Sequence, residues 1–135
     1  MGDLKNEIMH IKLTLSSCYE MTDLGKINSY LGVRITRDRS IKRLEIDQSR
    51  YISEIVDRFG LSDANPTRTP LPSGAEVHLV KHEGQASSAE IKYYQQIIGS
   101  LLYVQIGTQP DISFTVGCLS QYVSNPSLQH LHLAK

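Results

Sequence analysis

Tryptophan is absent from this chain of 135 residues, and phenylalanine and cysteine occur twice each. Cys18 and Cys118 form no spacing pattern for a zinc site or a disulfide framework. Both thiols are expected to serve as small apolar packers in a reducing interior. Net charge is also missing: 14 basic residues balance 14 acidic ones, which removes any global pull toward nucleic acid or a membrane surface. No apolar run reaches membrane length, and no signal-peptide pattern is seen. The Met-Gly opening is followed by Asn6 where myristoylation calls for serine or threonine. The expected setting is intracellular, cytoplasmic or nuclear, with no membrane partner.

What charge there is sits unevenly. Residues 34–43, RITRDRSIKR, carry five basic side chains and one acid. The apolar pattern before and after this stretch predicts an α+β fold of one small domain or two joined lobes. A helix is expected over residues 4–19, with Leu4, Ile8, Ile11 and Leu15 as one stripe and Asp3 as N-cap. Residues 27–36 alternate as one half-buried strand, Ile27, Ser29, Leu31, Val33 and Ile35 sharing a side. Residues 43–47 alternate again, with Leu44 and Ile46 inward. The polar tip between them has no Asn-Gly or Asp-Gly pair, which predicts a longer hairpin loop. A second helix over 49–59 buries Ile52, Ile55, Val56 and Phe59 and stops at Gly60.

Residues 62–88 break all periodicity with Pro66, Pro70, Pro72, Gly74 and Gly84, and read as a long linker or hinge. Ser87 and Glu90 have capping-box spacing and open a long helix that Gly107 ends. Pro110 suits the first position of another helix, with Ile112, Val116, Leu119 and Val123 inward. Asn125-Pro126 opens a last short helix. The expected organisation is therefore residues 1–61 with a hairpin and the helix after it, a linker over 62–88, and a helical subdomain over 89–135.

The long helix is the most telling element. Ile91, Tyr94, Ile97, Ile98, Leu101, Leu102 and Val104 make a broad apolar side. Lys92, Gln95, Gln96, Gly99 and Tyr103 fall opposite. A glycine inside a helix costs roughly 1 kcal/mol against alanine, so Gly99 calls for a reason. Close approach of another surface is one, and a flat face of glutamine, glycine and tyrosine suits a nucleic-acid groove. Packing of Gly99 against a neighbouring loop is the ordinary alternative.

The run YQQIIGSLLY followed by GTQPDI resembles the thumb helix of reverse transcriptases, in particular those of copia-type LTR retrotransposons. The likeness extends along nearly the whole chain. LSSCYEMTDLGKINSYLGVRI is similar to the passage from palm into primer grip, and IDQSRYISEIVDRFGL to the helix that follows. TPLP falls at a linker, and LSQYVSNPSLQHLHLAK at the end of the thumb. The family usually has arginine where this chain has Gln109, and often where it has Gln95.

The resemblance implies a fold made of the end of the palm with a primer-grip-like hairpin, then a helical thumb. It implies a template–primer RNA/DNA duplex as partner. The run Tyr30-Leu31-Gly32 would lie at the grip, with Tyr30 and Gly32 as its contact residues, and Lys92, Gln95, Gln96, Gly99 and Tyr103 along the minor groove. Arg34, Arg37, Arg39, Lys42 and Arg43 are placed at phosphates by their charge, with an expected salt slope of about −3 if three or four are neutralised. A solvated hairpin tip, charged against edge-to-edge pairing, is the competing reading for them.

The family's catalytic carboxylates include a Tyr-x-Asp-Asp turn, and no such run occurs in this sequence. The chain alone is thus expected to be no enzyme and to need no cofactor; magnesium would serve only that missing site. A different reading is a domesticated interaction or regulatory module, whose palm-facing surface is covered by a second copy or a host protein. Among the histidines, His78 and His82, and His130 and His132, lack the order of a metal-binding motif and are expected to be solvated.

Overall fold

The computed structural model describes residues 5–72, 74 and 79–135. Helix α1 spans Lys5–Cys18, strands β1, β2 and β3 span Ser29–Tyr30, Val33–Asp38 and Arg43–Asp47, and helix α2 spans Ser49–Arg58. Helix α3 runs Ser88–Gly107, a 3-10 turn Pro110–Ile112, α4 Ser113–Ser120 and α5 Leu128–Leu133. The fold is α+β, as the pattern predicts. The expected cap Asp3, Leu4 of the first stripe and His78 lie outside the described residues.

The three strands form one antiparallel sheet in the order β1-β2-β3. The expected single strand over 27–36 is instead interrupted. Tyr30 pairs with Val33, which leaves Leu31 and Gly32 as a two-residue turn. Both have left-handed backbones, φ +49° and +79°. That geometry matches the right-handed twist of the flanking strands. Alternation survives a turn of two residues, which is why the run reads as continuous.

Helix α2 buries Ile55 fully and Ile52, Val56 and Phe59 in part, and Gly60 takes φ +68° just past its end. Helix α3 opens with a complete capping box: the Glu90 amide donates to Ser87 Oγ, and the Ser87 amide donates to the Glu90 carboxylate. The Ser87 hydroxyl, then the Ser87 amide, both donating to the carboxylate, hold the Glu90 carboxyl below its usual range. The core lies in the helical half, where Leu79, Tyr94, Ile97, Ile98, Leu119 and Ala134 pack together. The Tyr94 hydroxyl donates to the Leu119 carbonyl at 2.9 Å, and its burial pushes the phenol up to about 12.

Loop 79–86 is bound to this core. Leu79 and Ala86 are buried, and Tyr122 donates its hydroxyl to the Leu79 carbonyl at 2.7 Å. The Asn125 side chain accepts from the Ala86 amide and donates to the His82 and Gly84 carbonyls. Asn125 therefore does not open α5; Ser127 caps it, accepting from the His130 amide.

Several expected inward residues lie open. Leu44 and Ile46 are 63% and 54% exposed, because no described element packs across that side of the sheet. Ile8, Ile11 and Leu15 of α1 are likewise exposed, as is Cys18, whereas Cys118 packs against the core. Leu102 stands at the rim of the apolar side of α3 and is exposed. His130 is not solvated: it is fully buried, its ring stacked on Tyr122 with centroids 4.0 Å apart.

Candidate nucleic-acid interface

On α3 the capped start and the buried stripe Tyr94, Ile97, Ile98, Val104 fix the roll of the helix. That roll turns Lys92, Gln95, Gln96 and Gly99 outward. Apart from its own stretch of helix backbone, no described atom comes within 4 Å of a Cβ built on Gly99, so packing against a neighbouring loop does not account for this glycine. Gln95 is steadied by donating to the Val123 carbonyl at 3.3 Å, which leaves its amide oxygen available.

Tyr103, one turn beyond Gly99, differs from its neighbours. Its hydroxyl donates to the Leu31 carbonyl in the β1–β2 turn. Its ring meets Tyr51 of α2 edge-on, centroids 4.9 Å apart. A Cβ on Gly32 would stand 3.7 Å from the same hydroxyl. The Leu31–Gly32 part of the expected grip and one residue of the groove face thus meet at one junction. Tyr51 belongs to it as well, and no spacing in the sequence points to that residue. A glycine after Leu31 was the sole local sign of the turn.

A second junction lies nearby. Gln48, immediately before α2, is buried against the end of α3, where Thr108 donates to its Oε1 at 2.9 Å. A Cβ on Gly107 would collide with the Gln48 amide, so Gly107 permits this close approach. Gln48 Nε2 has no hydrogen-bond partner among the described residues. An apolar cavity of about 330 Å³ opens between α2 and α3, with Gln109 on its wall.

The basic residues of the hairpin divide into two groups. Arg34 lies opposite Asp47 in the β2–β3 register and pairs with it at 2.8 Å. The Arg34 guanidinium, then Ser49, hold the Asp47 carboxyl below its usual range. Arg43 is paired with Glu45. Arg37, Arg39 and Lys42 form no ion pair among the described residues. They line a concavity of about 380 Å³ at the tip, together with Asp38, Arg43 and Leu44. Tyr30 is 63% exposed on the neighbouring turn. Among the described residues, no cluster of His, Cys, Asp or Glu could hold a metal ion. No helix of the described residues is long and apolar enough to cross a membrane.

The family model described as reverse transcriptase (RNA-dependent DNA polymerase) matches residues 1–73, more than half of the chain. The retrovirus-related Pol polyprotein from transposon TNT 1-94 of Nicotiana tabacum is 31% identical over 100% of this chain, which covers 10% of that polyprotein. An uncharacterized mitochondrial protein of Arabidopsis thaliana is 32% identical over 90% of this chain and 48% of its own length. The putative transposon Ty5-1 protein of Saccharomyces cerevisiae is 29% identical over 93% of this chain and 39% of its own. The chain therefore spans less than half the length of each of these relatives. No solved structure matches it.

Proposed function

The chain belongs to the reverse-transcriptase family of copia-type Pol polyproteins, and on that premise we propose that it holds a template–primer duplex without performing the polymerase chemistry. The open side of α3, Lys92, Gln95, Gln96 and Gly99, lies along the minor groove. The Tyr30–Gly32 turn meets the primer end. Arg37, Arg39 and Lys42 meet phosphates, while Arg34 and Arg43 are occupied by carboxylates and contribute less.

One observation carries the reading: a glycine in mid-helix with open space over it, on a flat polar face. Nothing described in the chain uses that space, and an approaching backbone would. The absence of a Tyr-x-Asp-Asp run from the sequence supports the lack of chemistry. The test is fluorescence anisotropy with an RNA–DNA hybrid across a salt series, beside a primer-extension assay with magnesium and manganese. The expected result is binding whose log K falls with log salt at a slope of about −3, with no extension. Salt-independent or undetectable binding removes the duplex reading, and extension by the pure chain removes the other half.

The exposed apolar residues of α1 and the sheet favour a second reading, an interaction module that covers them with another copy or a host protein. A dimer that binds no duplex would support it.

A further inference from the structure

The Tyr103 side chain, 37% exposed, is engaged by the protein itself, although it lies on the same side of α3 as the open groove residues. Its hydroxyl bonds to Leu31, and its ring leans on Tyr51. The turn it grips has little else to hold it. The side chains of Tyr30 and Leu31 are 63% and 72% exposed, so burial does not fix them. The Leu31 carbonyl lies outside the β1–β2 pairing, whose last pair is Tyr30 with Val33. Leu31 also adopts φ +49°, a left-handed backbone that suits asparagine or glycine far better than leucine. A turn with an unfavourable residue and no buried anchor is closed only by the Tyr30–Val33 pair of the sheet, and an outside hold on its backbone adds to that. Here that hold is the Tyr103 hydroxyl.

We propose that Tyr103 is a positioning residue: its bond to the Leu31 carbonyl sets the height of the Leu31–Gly32 turn over α3, and so the distance between a primer end and the groove-facing side of that helix. The inference rests on the duplex-holding reading above. Tyr103 does not itself enter the groove. Gln95, Gln96 and Gly99 take the duplex, and Tyr103 ties them to the turn that takes its end. Tyr51 keeps the phenol upright, and Gly32 leaves room for the hydroxyl.

Tyr103→Phe removes the bond and keeps the ring. Two measurements on the whole chain separate the possibilities. The first is hydrogen exchange over residues 29–34, expected to speed up in the variant while α3 and α4 stay protected. The second compares two RNA–DNA hybrids of equal length, one with a recessed primer 3′ end and one with both ends closed by loops. The wild type should favour the recessed end. Tyr103→Phe should lose that preference by about fivefold, the effect of one hydrogen bond, with affinity for the closed duplex unchanged. Gly99→Leu should weaken binding to both hybrids and keep the preference.

Unchanged exchange in Tyr103→Phe overturns the proposal, as does a preserved end preference. Equal binding of both hybrids by the wild type overturns it and leaves the duplex reading standing. No binding of either hybrid by the wild type overturns both. Tyr51→Leu gives an independent check: it keeps the hydroxyl but loosens its support, so a partial loss of the preference is expected and an intact preference counts against the role.

Discussion

Two glycines of α3 look alike in sequence and have opposite consequences. Gly99 has open space around it, so Gly99→Ala should raise thermal stability by about 1 kcal/mol through helix propensity alone. The same variant should weaken hybrid binding, because the methyl group stands where the duplex backbone approaches. A melt and an anisotropy titration on one preparation check both; reduced stability would mean the space is used within the fold. Gly107 faces the buried Gln48 amide, and Gly107→Ala must push it away from Thr108. The expected loss is about 1–3 kcal/mol by overpacking. It should be less than additive with Gln48→Ala, since both changes act on one contact.

At the scale of elements, much could be read from the chain. The Ser87–Glu90 capping box, Gly60 after α2 and Pro110 before α4 are local signals, and local backbone chemistry decides them. The Leu31–Gly32 turn was illegible because the preferred Asn-Gly signal is replaced by a leucine held in place from a helix 72 residues away. Gln48 and Tyr51 were equally unreadable, since their importance comes from contact with α3 and not from any spacing within α2. The outward side of α3 followed from its period, but Tyr103's commitment to the hairpin needed the tertiary structure.

Helix α5 carries a pH-dependent cap of a kind that composition cannot reveal. His130 Nδ1 accepts from the Ser127 amide at 3.0 Å, which requires the unprotonated nitrogen. Burial pushes the imidazole below its usual value, His82 nearby adds to this, and the Val80 carbonyl opposes it. A folded-state pKa below the unfolded one means stability that is present above the unfolded pKa and lost as pH falls through the folded one. The melting temperature should therefore drop between roughly pH 7 and pH 5 in the wild type. That drop should be shallower in His130→Gln; an identical slope in both would assign it to other groups.

Across the whole molecule the packing is lopsided. The helical half has a closed core, whereas α1 exposes Ile8, Met9, Ile11, Leu13 and Leu15, and the sheet exposes Leu44 and Ile46. So much exposed apolar surface favours association. Sedimentation should show a concentration-dependent shift toward larger species, and Ile11→Glu with Leu15→Glu should reduce it without lowering the melting temperature of the helical half. A monomer at all concentrations would show that these residues are tolerated in water.

The hydrogen bonds that hold residues 82–86 to the helical half, beside the buried Ala86, all come from one carboxamide, that of Asn125. Asparagine ages chemically when the next main-chain nitrogen attacks its side chain and closes a succinimide ring. The next residue here is Pro126, whose nitrogen has no hydrogen to lose. The amide is also spanned at both ends by the loop it holds. This clasp is thus shielded from the commonest slow decay of its own side chain, and storage will damage the exposed Cys18 and Met9 well before it releases the loop.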